Sequence, residues 1–227
     1  MQSLQTQTSI PVQLSSGDGT KSVKYYEKEN FNVNYRMLFS KNEADELFHQ
    51  LESNVDYYSG DLARIKMFGK WVNIPRQHVA YGSNGLHYKF SGNTIPAKPW
   101  SSVPCLQQIK DRVESVLGVT FNFLLINRYA NGMQYMGEHR DDEKELESDA
   151  PIASVSFGQE RDFTFRHKDC RGKQKKRSDV PKITHSLQHG SLLVMNAPTN
   201  KFWYHALPKR SHTKNPRINL TFRVMKE

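Results

Sequence analysis

Past Gly118 the chain breaks into short runs in which apolar and polar residues alternate. Arg217-Ile-Asn-Leu-Thr-Phe-Arg223 is the sharpest of them. Successive side chains of an extended chain point to opposite faces. Ile218, Leu220, Phe222 and Val224 therefore share one face, and Arg217, Asn219, Thr221 and Arg223 share the other. Runs at 121–129, 152–157, 162–166, 191–195, 202–207 and 217–225 predict strands. Many short strands at this spacing, with no sustained helical period, predict a jelly-roll type double sheet. Before Gly118 the period is helical. Ser40-Lys-Asn-Glu43 is a capping-box pattern. It opens a helix with Ala44, Leu47, Phe48, Leu51 and Val55 on one face. A second helix follows Pro104, with Leu106, Ile109, Val113, Val116 and Leu117 inward and Gly118 as its stop. The pattern predicts an α+β protein, mostly β, with helices buttressing one face of the double sheet.

Residues 1–22 are rich in Gln, Ser, Thr and Gly and read as a disordered tail, leaving one domain over 23–227. The N-terminus has no readable signal peptide, and the longest apolar run is too short to span a bilayer, so no membrane role is expected. Two cysteines, Cys105 and Cys170, make no disulfide framework and suit a reducing compartment.

The net charge of +9 is regional. Residues 161–217 hold 14 Lys/Arg against three Asp/Glu, whereas the remainder holds 18 against 20. Such a local excess favours a phosphate-binding face over an ordinary solvated one.

Two arginines on one strand face could clamp a small dicarboxylate. On one strand, the spacing of His139-Arg-Asp141 lets both side chains meet one metal, and His205 from another strand would add a third ligand. Two histidines and a carboxylate with open positions form the ligand set of non-heme Fe(II) oxygenases. The same donors also make hydrolytic zinc sites, but a hydrolase has no use for a dicarboxylate clamp. His167-Lys-Asp169 repeats the spacing, and spacing alone does not separate the two pairs. The second runs into the basic stretch 171–177 and reads as a solvated loop beside a turn.

Taken together these residues resemble the AlkB family of Fe(II)- and 2-oxoglutarate-dependent nucleic-acid dealkylases, in particular its members acting on double-stranded DNA. The likeness runs from about Phe31 to the end. It rests on Phe68-Gly-Lys-Trp71, Tyr88-Lys-Phe90-Ser-Gly92, Asn127-Arg-Tyr129, Gly137-Glu-His-Arg-Asp-Asp-Glu143 and Pro151-Ile-Ala-Ser-Val-Ser-Phe-Gly158. It continues through Phe165-Arg-His-Lys-Asp169, His189-Gly-Ser-Leu-Leu193 and Arg217-Ile-Asn-Leu-Thr-Phe-Arg223.

The resemblance implies a double-stranded β-helix core with a DNA-binding finger loop, a nucleotide-recognition region at about 60–100, and His139, Asp141 and His205 as the Fe(II) ligands. It implies that Asn127, Tyr129, Arg217, Asn219, Thr221 and Arg223 hold 2-oxoglutarate, with O2 as oxidant and ascorbate as reductant in vitro. Phe68, with Gly69 and Lys70, would form the finger that fills the gap left by a flipped base. Tyr88, Lys89 and Phe90 would hold that base with His139, while Asp142 and Glu143 accept from its exocyclic amine. Arg64, Arg76, Lys173, Lys175, Lys176, Arg177, Lys209 and Arg210 would grip the DNA backbone. The expected reaction is oxidative demethylation of 1-methyladenine and 3-methylcytosine with release of formaldehyde, by a nuclear, monomeric enzyme. An RNA or single-strand demethylase, a peptidyl or small-molecule hydroxylase, and a catalytically silent DNA-binding module are the rival readings. Lys209-Arg-Ser-His212 carries fewer adjacent basic residues than the duplex-acting relatives. The N-terminal segment lacks their basic-aromatic sliding-clamp motif, which places clamp recruitment in doubt.

Overall fold

In the computed structural model Ser40 caps the first helix, α1 (Lys41–Asn54), through the expected reciprocal bonds. Its amide donates to Glu43 Oε2 at 2.9 Å and its hydroxyl accepts from the Glu43 amide at 3.4 Å. The structure describes residues 29–67, 69–90, 93–172 and 176–226, the side chains of Met67 and Phe90 excepted. The expected tail at 1–22 lies outside them. The second helix, α2 (Pro104–Leu117), has Pro104 at its first position. It ends at Gly118, whose φ of 65° is the left-handed cap that glycine adopts at little cost.

Strand β1 (Val33–Met37) precedes α1, and β2 (Arg64–Met67), β3 (Lys70–Asn73), β4 (Gln77–Gly82), β5 (His87–Phe90), β6 (Asn93–Pro96) and β7 (Lys98–Pro99) lie between the helices. After α2 come β8 (Phe123–Tyr129), β9 (Met136–His139), β10 (Ile152–Gly158), β11 (Arg161–His167), β12 (Ile183–Leu187) and β13 (Ser191–Met195). The short helix α3 (Thr199–Phe202), β14 (Trp203–Leu207) and β15 (Arg217–Arg223) close the fold.

Seven strands form a main sheet in the order β1-β13-β10-β15-β8-β4-β7, and four form a second in the order β12-β11-β14-β9. The pairs β2–β3 and β5–β6 are separate hairpins. On the main sheet's outer face Leu47, Leu51, Leu106, Ile109 and Val113 of the helices pack with Val155, Leu192, Ile218, Leu220 and Phe222. That contact consumes the apolar face of β15 and turns its polar face inward. All seven residues of β15 are buried, the polar ones included. A second apolar cluster, with Phe31, Leu193, Met195, Phe165 and Trp203, fills one end of the space between the sheets.

All six expected strands form, with ends moved by at most two residues. Several others were not anticipated. β4 is buried at every position but Gln77, and a strand covered on both faces shows no alternation to read. β12 alternates but lies just past the basic stretch taken as loop.

Candidate metal centre and substrate cleft

The registers set polar side chains in rows across the inner face of the main sheet. Asn219 stands opposite Asn127 on one side and Ser156 on the other, and His78 stands opposite Asn127. Arg217 is opposite Tyr129, with its guanidinium 5.5 Å from that ring's centre. Within the rows Arg217 Nη2 donates to Asn219 Oδ1 at 2.6 Å and to Ser156 Oγ at 2.9 Å. Asn219 Nδ2 donates to Thr221 Oγ1 at 2.9 Å, and Ser154 Oγ to Asn219 Oδ1 at 3.0 Å. Among the described residues no carboxylate lies within 4.0 Å of Arg217, and its Nε has no partner. Burial pushes the Arg217 guanidinium down to about 10. Desolvating an uncompensated charge costs several kcal/mol, so this pocket is electrostatically prepared for an anion.

Arg223 is equally buried but paired. Its Nε and Nη2 donate to Asp141 Oδ2 at 3.0 and 2.7 Å. That leaves Oδ1 of Asp141 facing His139 Nε2 at 3.6 Å and His205 Nε2 at 3.8 Å. One ligand atom from each of the three residues lies within 4.8 Å of the others, the only such group of three or more found among the described residues. β9 and β14 pair at His139 and His205, bringing the rings to 4.3 Å between centres. His139 Nδ1 donates to the Gly137 carbonyl at 2.9 Å, which leaves its Nε2 lone pair for a metal.

Burial lowers both imidazoles, His205 to about 3, so both stay neutral and able to ligate at pH 7. Burial opposes ionisation of Asp141 most strongly, but the Arg223 charge and hydrogen bond together with the two neighbouring imidazoles outweigh it and keep the carboxyl below its usual range. Asn200 Oδ1 accepts from the Asp141 amide at 3.0 Å and steadies the ligand from behind. Two neutral nitrogens and one anionic oxygen converging on one point fit Fe(II) and leave further coordination positions for other ligands. His139 and Asp141 were expected to share a strand; in fact β9 ends at His139, and Asp141 reaches the same point from the segment beyond it.

The duplicate pair does other work. His167 is buried rather than solvated, its ring 5.3 Å from Trp203 and 6.3 Å from Phe202. Its Nδ1 accepts from the Asp169 amide at 3.3 Å, and the Asp169 carbonyl accepts from the amides of Lys176 and Arg177. It fastens the base of the basic loop.

Above the metal ligands a cleft opens, with Arg76, His78, Tyr88, Tyr135 and Glu143 in its walls. Tyr88 is buried under the Arg223 guanidinium and donates to Glu143 Oε1. Burial raises the Glu143 carboxyl, whose Oε2 has no partner among the described residues. Asp142 is exposed, 3.7 Å from Arg140, and Lys89 points outward at 3.9 Å from Glu145. Gly69 and Lys70 belong to the β2–β3 hairpin, whose β3 is exposed throughout. Phe68, Lys173, Lys175 and the Phe90 side chain lie outside the described residues.

The expected backbone contacts divide. Arg76 turns into the cleft and donates to Asn127 Oδ1 at 2.7 Å. Arg177 is held by Glu29 at 2.7 Å and Asp179 at 2.6 Å, and Arg210 by Asp162 at 2.9 Å. Arg64 is 3.4 Å from the exposed Asp61. Lys176 is exposed, and so is Lys209, which stands 4.8 Å over the Tyr135 ring. Sequence reasoning missed Arg140 and Arg171, which flank Tyr204 at 5.0 and 4.2 Å. They are far apart in the chain, and only the pairing of β9, β11 and β14 brings them together.

The 2OG-Fe(II) oxygenase superfamily matches residues 33–223. The DNA oxidative demethylase ALKBH2 of Bos taurus is 55% identical, over 86% of this chain and 69% of its own length. That of Homo sapiens is 54% identical over 89% of this chain and 76% of its own. The alpha-ketoglutarate-dependent dioxygenase alkB homolog 3 of Homo sapiens is 39% identical over 66% and 52%. The structure of OsALKBH1 superposes with a TM-score of 0.54 at 16% identity, covering 84% of this chain and 97% of that one, a likeness of fold.

Proposed function

The chain belongs to the AlkB family within the 2OG-Fe(II) oxygenase superfamily, and from that premise we propose that it oxidatively demethylates N-alkylated bases in double-stranded DNA. The observation that carries this is a single strand, β15, that joins a buried anion-ready arginine to an intact His-Asp-His centre. Fe(II), when bound, supplies the oxygen activation that couples decarboxylation of 2-oxoglutarate to oxidation of the N-alkyl carbon, which leaves as formaldehyde.

The protein's own residues do the rest. His139, Asp141 and His205 hold the metal. Arg217 takes the distal carboxylate of 2-oxoglutarate, with Tyr129, Asn127, Asn219 and Thr221 shaping its bed, and Arg223 orients Asp141. Tyr88 and His139 bracket the flipped base, and Glu143 and Asp142 accept from its amine. The exposed β2–β3 hairpin beside the cleft, with Lys70 and Trp71 on it, supports a duplex-opening role for Phe68, which falls between the two strands in the sequence. Lys176, Lys209 and the basic loop supply phosphate contacts, to which Arg140 and Arg171 are added.

Ascorbate serves as reductant in vitro, and residues 23–227 act as one dioxygenase domain. DNA repair places the protein in the nucleus. Among the described residues no helix is long and apolar enough to cross a membrane.

The test is mass spectrometry of a duplex carrying one 1-methyladenine, with Fe(II), ascorbate and 2-oxoglutarate, against a tube lacking only 2-oxoglutarate. Loss of one methyl mass in the complete tube alone is the expected result. Succinate without demethylation would redirect the reading to RNA or protein. Neither product, with iron loading verified, would leave a silent binding module.

A further inference from the structure

Arg161, the first residue of β11, is almost wholly buried and serves none of the roles above. Its Nη1 donates to the Asn131 carbonyl at 3.3 Å, and its Nη2 to the carbonyls of Gln134 at 3.1 Å and Pro208 at 2.7 Å. Among the described residues no carboxylate reaches it within 4.0 Å, so carbonyl dipoles from two separate segments are what compensate its charge. The first segment, 130–135, leads from Tyr129 to the strand carrying His139. The second, 208–213, leads from the strand of His205 through Lys209 and Arg210.

The two segments also bond directly. The Arg210 amide donates to the Gly132 carbonyl at 2.7 Å and the Gly132 amide to the Thr213 carbonyl at 2.9 Å. They approach so closely that a Cβ on residue 132 would lie 1.7 Å from the Arg210 carbonyl oxygen. Lys209 over the Tyr135 ring bridges them a third time, on the cleft side.

We propose that Arg161 is a positioning residue that locks these two segments into one rigid wall of the cleft, which registers the nucleic-acid backbone at Lys209 against the metal ligands. The proposal rests on the DNA reading above. A guanidinium suits the task because its donors diverge in a plane and reach three carbonyls at once. Lysine offers one compact head, and glutamine brings no charge and one short amide.

The experiment compares wild type with R161Q, R161K and G132A on a duplex carrying one 1-methyladenine and on a trinucleotide carrying the same base, with DNA-free succinate formation as baseline. The trinucleotide is too short to span the wall. R161Q and G132A should each lower kcat/KM on the duplex on the order of tenfold, with the trinucleotide and DNA-free rates held within about twofold. R161K should fall between R161Q and wild type. G132A reaches the same wall by a different route, so it carries the test if R161Q fails to fold. Equal losses on both substrates would reduce Arg161 to a general fold-holding role, and unchanged duplex activity in R161Q and G132A would remove the proposal outright. A wild-type protein inactive on both oligonucleotides would remove the DNA reading and this role together, a result read on a different protein.

Discussion

Arg217 and Arg223 stand at the two ends of one strand, on the same face and buried alike, yet their charges are handled in opposite ways. Arg223 is spent inside the protein on Asp141. Arg217 meets only neutral acceptors, and its ionisation is strained by burial. Burial alone therefore says little about an arginine's role; on this strand the arginine with a counter-charge is committed to Asp141, and the one without it is left able to meet an anion. The six-residue separation also fixes the span between metal and anion pocket in backbone, the least deformable part of the fold.

Four experiments break or sharpen this contrast, from the largest effect to the smallest. Asp141→Ala makes both ends alike, two buried unpaired arginines, and removes a metal ligand. Demethylation should fall by about three orders of magnitude or more, and Co(II) titrated in place of Fe(II) should lose its ligand-field absorbance. Asp169→Ala should retain both. The reverse pattern would exchange the two His-x-Asp pairs.

Arg217→Met should raise the KM for 2-oxoglutarate on the order of a hundredfold, as loss of a buried charge contact does. Arg223→Met instead strands a buried carboxylate, which costs roughly 3–5 kcal/mol. Thermal melting without ligand should thus drop steeply for Arg223→Met and little for Arg217→Met. Added 2-oxoglutarate should raise the midpoint of wild type but not of Arg217→Met. Equal midpoints for the two variants would erase the distinction.

Acid gives a third comparison. Burial, then the nearby Arg76, lowers His78 to about 4, and burial then His139 lower His205 to about 3. The unfolded chain takes up these protons from about pH 6.5 while the fold refuses them, so stability should fall as pH drops from 6.5 towards 4. Asp141 is held low, so the Arg223 end should persist through that window. His78→Asn should flatten the slope by about 1–3 kcal/mol across it, followed by urea unfolding of the metal-free protein. An unchanged slope would acquit His78. Last, Ser40→Ala touches neither arginine. It should cost about 1 kcal/mol and leave KM values unaltered.

What could be read from the sequence followed from local periodicity. The face of β15, both long helices, the capping box and the Gly118 stop each depend on neighbours within a turn or a few residues. The three metal ligands gathered as the family pattern implies, but spacing by itself did not separate His139 from His167, because a buried ring between Phe202 and Trp203 has the same sequence spacing as a ligand. The expectation that Asp141 lies on a strand failed because two residues past a strand end can still face the same point. Arg161, Asn200 and the Arg140–Tyr204–Arg171 stack were invisible for a common reason: each depends on contacts made dozens of residues away.

The placement of β15 also has a consequence for how the protein can change. It is hydrogen-bonded on both sides within the seven-stranded sheet, whereas β2–β3 is a lone two-stranded hairpin, marginal by itself. Amides of β15 should exchange with solvent only when the whole domain opens, and those of the hairpin by local fraying. On the proposed function, the arginines that would hold 2-oxoglutarate and orient Asp141 lie in the slowest-opening part of the molecule, and the hairpin that would open the duplex lies in the fastest. Substitutions that retune duplex opening would then accumulate in the hairpin without loosening the strand that carries Arg217 and Arg223.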